Sequence, residues 1–199
     1  MAQEQRAYVP GPEMIPDKGQ LRLATSRNWN DYERSHVLMY KAPILLLEGR
    51  PAHILDVGCG VGYGLQWMFD ARCVGRYVGI DPQEDAIDYM KELCSTHPHT
   101  KSDLEFFHTG LLEWDSDEKF DFVFCIEVIE HVPKDDIIPF LNRLRRHTCR
   151  NLFLSTPNTD NHSHALYSPT ELTAHIKNAG FMVAHMEWQN SVFYLCTPQ

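Results

Sequence analysis

Positive charge is scarce in this chain: 18 lysines and arginines stand against 27 acidic residues, a net charge of −9 over 199 residues. So acidic a chain disfavours broad electrostatic capture of nucleic acid, which needs a basic face. Long apolar runs are missing as well. The longest candidate, Ala42 to Leu47, contains Pro43 and runs straight into Glu48, far short of the ~20 residues that span a bilayer. The first residues, MAQEQRAYVPGPEM, lack the charged-then-apolar order of a leader, so a cytoplasmic protein is expected. The six cysteines include no Cys-x-x-Cys pair. They are read as reduced core thiols, not a disulfide frame or zinc site. The length suits a single domain with an added arm and leaves no room for a second recognition domain.

The arm is residues 1–50. Its first 20 residues hold three prolines and two glycines with few large apolar side chains, and a helix is expected from near Asn30 or Asp31, with Val37, Leu38 and Leu45 facing inward and Pro43 kinking or ending it. From residue 51 to 199, strands and helices alternate. Strands are expected at Ala52–Val57, Arg76–Ile80, Leu104–Phe107, Phe120–Ile126, Asn151–Leu154, Phe181–His185 and Ser191–Cys196. Helices are expected over Tyr63–Phe69, after Pro82, and from Asp135, the last with Ile137, Phe140, Leu141 and Leu144 on one face. Ser168-Pro169-Thr170-Glu171 is a capping box opening a further helix. The pattern predicts an α/β fold, a Rossmann-like, doubly wound, mainly parallel seven-stranded sheet ending in an antiparallel hairpin. In such sheets ligands bind at the carboxyl ends of the strands.

Asp56-Val57-Gly58-Cys59-Gly60-Val61-Gly62-Tyr63-Gly64 follows the first strand, and the second ends at Asp81. Glycines permit a tight turn and close ligand approach, and the later carboxylate can accept both hydroxyls of a ribose. The dinucleotide pattern G-x-G-x-x-G fails in either frame, because the sixth position is Tyr63 or Leu65. An acid two places before the first glycine suits a cationic ligand better than a pyrophosphate.

ILDVGCGVGYG, followed by YVGIDP, FDFVFCIEVIEHVP and LFLSTPN, resembles the class I S-adenosylmethionine-dependent methyltransferases, and within them the group containing the ubiquinone-biosynthesis O-methyltransferases. The resemblance implies S-adenosylmethionine as cofactor. It places Asp56, Gly58, Cys59, Gly60, Gly62, Tyr63, Asp81, Pro82, Gly110, Leu111 and Ile126 around it. Asp56 would lie near the methionine amino group, and Asp81 on the ribose. Relatives of this kind carry an aspartate for the adenine amine where this chain has Gly110; either adenine selectivity is weaker, or the backbone of Leu111 or the carboxylate of Glu113 substitutes.

Glu127, Glu130 and His131 follow the fourth strand at i, i+3 and i+4 and would share one face of a helix. His131 is the first candidate for a base and His164 the second, with Glu127 orienting cofactor or substrate. The same group resembles the metal site of small-RNA 2′-O-methyltransferases, with Glu127, Glu130, His131 and His162 or His164 on a divalent ion. The charge of −9 and the lack of a basic, aromatic platform weigh against that reading. Trp29, Tyr32 and Arg34 could form a substrate wall, Ser155 to Asn158 could line the acceptor pocket, and residues 158–167 could set specificity. Arg143, Arg145, Arg146 and Arg150 read as a solvated face. No Pro-Cys nucleophile and no amino-methylating DNA motif occurs. The leading expectation is methyl transfer to a hydroxyl, less favourably an amine, of a small or medium-sized metabolite. The others are the metal-dependent RNA enzyme and a non-catalytic cofactor-binding module.

Overall fold

Strands and helices alternate along the chain as β1 (Ala52–Val57), β2 (Val74–Asp81), α1 (Glu84–Thr96), β3 (Asp103–His108), β4 (Phe120–Ile126), α2 (Ile137–His147), β5 (Thr148–Pro157), α3 (Pro169–Asn178), β6 (Phe181–Trp188) and β7 (Ser191–Pro198). This computed structural model describes residues 39–40, 43–45, 47, 50–62, 64, 65, 68, 72–96, 103–157, 167–188 and 191–199. One seven-stranded sheet runs in the order β3-β2-β1-β4-β5-β7-β6. β1 to β5 pair in parallel, and β7 lies antiparallel between β5 and β6. This is the doubly wound sheet with a terminal antiparallel hairpin that the pattern predicts.

Both faces of the central strands are covered, which is why AHILDV and FDFVFCI read as nearly continuous apolar runs. Leu55, Val78, Val123 and Leu152 pack with Leu141 and Leu144 of α2 and Leu172 and Ile176 of α3. On the other face Ile54, Tyr77, Phe124 and Phe153 pack with Met90 and Cys94 of α1 and with Met39, Tyr40, Ile44 and Leu47. The inward face of α2 is the expected one, Ile137, Phe140, Leu141 and Leu144. α3 opens on the expected capping box: Glu171 N–H donates to Ser168 Oγ at 3.2 Å, with Pro169 in the first turn.

Several details differ from the sequence reading. β5 spans Thr148–Pro157, beyond 151–154 at both ends, because β4 pairs with it at Thr148 and β7 at Pro157. Leu45 faces outward, 79% exposed, while Ile44 and Leu47 carry the burial. Pro43 to Leu45 are helical, so the proline does not end helical backbone there. The expected cap at residues 30–31, Val37, Leu38, Trp29, Tyr32 and Arg34 lie outside the described residues. Five cysteines are buried as expected, but Cys149 is exposed. The arginines do not form one solvated face. Arg145 donates to the carbonyls of Gly180 and Gln199 at 3.1 and 3.0 Å, Arg146 pairs with Asp117, and Arg143 reaches the Leu112 carbonyl. Arg150 lies on β5, its guanidinium over the Phe122 ring. Each is used to tie chain segments together. No helix among the described residues is long and apolar enough to cross a membrane.

Strand order reverses between β1 and β4, so the crevice open to a ligand lies beyond their carboxyl ends. The glycine turn leaves one of these ends and Glu127 leaves the other.

Candidate active site

The glycine turn is held by its neighbours before any ligand arrives. Gly58 and Cys59 N–H groups donate to the Ile80 carbonyl at 2.8 and 3.1 Å. Gly60 N–H donates to one oxygen of Asp81 at 2.9 Å, and Gln83 N–H donates to the other at 2.8 Å. Burial pushes the Asp81 carboxyl up, against the pull of these two donors. Each carboxylate oxygen has a second lone pair, so both can still accept a hydroxyl. Thr109 N–H donates to the Asp81 carbonyl at 2.9 Å, tying the end of β3 alongside.

Gly58 and Gly62 have φ of +71° and +82°, the region that glycine enters without strain. A Cβ on Gly58 would strike Val128 Cγ2, and one on Gly62 would strike the Met90 sulfur. Gly58→Ala is therefore expected to destabilise the protein by about 1–3 kcal/mol through the strained φ and the overpacked contact. Adding Val128→Ala should relieve the second part only. Denaturant melts of the two single variants and the double variant read the coupling directly, and strictly additive effects would contradict the contact.

Asp56 is fully buried below the turn. Its oxygens accept from Tyr77 Oη at 2.8 Å and from Tyr40 Oη at 3.3 Å. Burial raises its pKa to about 7, while the two hydroxyls act the other way. The Tyr77 ring reaches Asp56 across Gly79: a Cβ there would lie 3.1 Å from Tyr77 Cε1 and 2.9 Å from Cys59 Sγ. Sequence reasoning missed both tyrosines. The available signal was Gly79, a glycine inside a strand, which marks a close approach.

The second half of the crevice follows β4. Glu127 has a φ of +55°, so the chain leaves the strand in a left-handed conformation, and two short 3-10 turns follow, Ile129–His131 and Lys134–Asp136. Glu127, Glu130 and His131 therefore do not share a helical face, which corrects the sequence expectation. Ser155 at the end of β5 holds Glu127 in place. Its Oγ accepts from Glu127 N at 3.1 Å and donates to Glu127 Oε1 at 2.8 Å. Holding a non-glycine residue in this conformation costs about 1–3 kcal/mol and persists where its surroundings enforce it.

Glu130 turns inward. It is 3% exposed, with Oε2 unpartnered, and Oε1 lies 3.9 Å from Nε2 of a half-exposed His131. Burial raises Glu127 to about 7, and burial together with the Glu127 charge raises Glu130 to about 8. At neutral pH the pair thus retains protons that exposed carboxylates would have lost. Among the described residues no three histidine, cysteine or acidic side chains converge as a metal site. His162, His164 and Tyr63 fall outside the described residues.

Of the remaining expected cofactor residues, Cys59, Leu111 and Ile126 are buried and Pro82 is exposed. Leu111 joins the core beside Leu55 and Val57. Gly110 leaves room for another side chain: the Glu113 carboxylate comes within 2.5 Å of where a Cβ on residue 110 would stand. The Glu113 carboxylate thus folds back over Gly110, where a side chain on residue 110 would displace it.

Residues 55–151 match the family model described as a methyltransferase domain. The fold, the glycine turn and this match together define a class I S-adenosylmethionine-dependent methyltransferase domain. The mitochondrial ubiquinone biosynthesis O-methyltransferase of Schizosaccharomyces pombe is 32% identical over 94 residues, which are 46% of this chain and 34% of that one. The tRNA U34 carboxymethyltransferase of Mannheimia succiniciproducens is 30% identical over 158 residues, covering 77% of this chain and 46% of that one. The chain thus spans between a third and a half of these curated relatives. Among solved structures, magnesium protoporphyrin IX methyltransferase from Synechocystis PCC 6803 with bound S-adenosylmethionine superposes with a TM-score of 0.71 at 17% identity, over 92% of this chain and 86% of that one.

S-adenosylmethionine is the cofactor of this class, and the residues present suit it. Asp81 offers free lone pairs beside a glycine turn, and Asp56 sets a second acid below that turn. This donor set favours a ribose diol and a cationic group over a phosphate.

Proposed function

We propose that this chain transfers a methyl group from S-adenosylmethionine to a hydroxyl of a small or medium-sized metabolite. Asp81 holds the ribose, the backbone of Gly58 to Gly62 admits the methionine part, and Glu113 accepts the adenine amine. When bound, the cofactor supplies an electrophilic methyl group. Glu127, fixed by Ser155, orients the acceptor, and His131 takes the proton its hydroxyl loses. Alignment of the two partners provides most of the acceleration.

The observation that carries this reading is the contact between Gly58 and Val128. It joins the turn after β1 to the turn that bears Glu127 and His131, so donor and acceptor groups meet in one crevice. Incubation with S-adenosylmethionine and a panel of phenolic and aliphatic alcohols tests it. Release of S-adenosylhomocysteine with one methyl on oxygen is expected, and transfer to nitrogen or to none of the panel would overturn it.

An RNA acceptor is the second reading, favoured by the tRNA-modifying relative that aligns over 77% of the chain. The net charge of −9 weighs against it. Chelation of divalent ions is expected to leave turnover on the metabolite unchanged. A loss restored by magnesium would favour the metal-assisted RNA reading, which needs Glu127, Glu130, His131 and His164 together as ligands.

A further inference from the structure

Met39 and Tyr40 are helical residues from the arm, yet they touch both halves of the site. The Met39 sulfur lies 3.9 Å from Ser155 Oγ, the atom that fixes Glu127. Tyr40 enters on the other side. Its ring stacks on Phe124 of β4, with centroids 5.7 Å apart, and occupies the space that a Cβ on Gly64 would need. Its hydroxyl ends on Asp56, alongside the Tyr77 hydroxyl. Tyr40 is 4% exposed, and the partner its buried hydroxyl has found is the acid beneath the glycine turn.

We infer that Tyr40 is a positioning residue for the cofactor site, acting through Asp56: its hydroxyl holds the Asp56 carboxylate in the charged form and in place beneath the glycine turn, so that the arm completes the donor half of the site. The inference rests on the reading of that turn as the S-adenosylmethionine site. A hydrogen bond from a neutral donor favours an ionised carboxylate, and a charged Asp56 attracts the ammonium group of a bound S-adenosyl compound. Asp56 titrates near 7, so affinity should rise as pH increases through that value. Removing a donor hydroxyl moves the midpoint upward and lowers affinity at neutral pH. The other groups facing Asp56 are Tyr77 and Asp81 from β2, Cys59 from the turn and Cys125 from β4. All are common to wild type and variant, so the difference between the two isolates Tyr40.

The test is calorimetric titration of S-adenosylhomocysteine into wild type, Tyr40→Phe and Tyr77→Phe, from about pH 6 to about pH 8.5. Tyr40→Phe keeps the ring on Phe124 and beneath Gly64, so it should fold, with a melting temperature lowered only by the loss of one donor to a buried carboxylate. Its affinity at pH 7 should fall about tenfold, with the gap narrowing as pH rises. Tyr77→Phe, which loses the shorter bond, should show a larger loss in the same direction. KM for S-adenosylmethionine should rise in Tyr40→Phe, while kcat at saturation holds. Equal affinity and an equal pH midpoint in wild type and Tyr40→Phe would overturn the inference and leave the cofactor reading intact. Failure of wild type itself to bind would overturn both.

Discussion

Asp81→Ala should weaken binding of S-adenosylhomocysteine by at least about a hundredfold, the largest loss expected of any single change in the donor half. Hydrogen bonds to a charged group are worth about 1.5–3 kcal/mol each, and the Asp81 carboxylate would give up its contacts to a ribose. The same carboxylate accepts from Gly60 N–H and Gln83 N–H, and it is 2% exposed. Its removal leaves those two donors unsatisfied and frees the glycine turn. The variant should therefore also melt at a lower temperature. Asp81→Asn separates the effects: it retains one acceptor oxygen but no charge, so it should recover part of the stability and little of the affinity. Calorimetry and thermal melts on the three proteins check this. Undiminished affinity in Asp81→Ala would remove Asp81 from the ribose site.

His131→Ala should behave differently, lowering turnover by about a hundred- to ten-thousandfold, the range for loss of a general base, with cofactor affinity unchanged. His131 is half-exposed on the turn that follows β4. Its Nε2 lies 3.9 Å from Glu130 Oε1. On the proposed reading its loss removes the proton acceptor and leaves the cofactor contacts in place. Single-turnover rates with S-adenosylmethionine and the identified acceptor, set beside calorimetric affinities, separate the two parameters. A variant with wild-type turnover would transfer the role of base to Glu127, whose pKa near 7 also suits proton transfer.

The strand ends were legible in the sequence because buried parallel strands form continuous apolar runs and glycine marks the turn that follows. That is why Asp56, Gly58, Gly60 and Asp81 could be placed from residue order alone. What remained hidden is non-local. Asp56 meets Tyr77 and Tyr40 across 21 and 16 residues of chain, and Glu127 meets Ser155 across 28. Neither spacing has a local signature. The i, i+3, i+4 pattern misled, because it implies one face only if the backbone is helical, and Glu127 departs from β4 with positive φ. Leu45 misled for a related reason: inward and outward positions near Pro43 are set by packing of Ile44 and Leu47 against the sheet, not by helical period. Glu113 lies between these cases. The missing aspartate at Gly110 was visible, and Glu113 could be named as a candidate substitute, but the approach of its carboxylate to Gly110 is a product of the fold.

A crystal structure of the chain with S-adenosylhomocysteine tests the central claim most directly. The expected result is one ligand beyond the carboxyl ends of β1 and β4, with its ribose hydroxyls on Asp81, its adenine amine on Glu113 and its sulfur facing the turn of Glu127 and His131. A ligand bound elsewhere, or an empty crevice at saturating concentration, would contradict it.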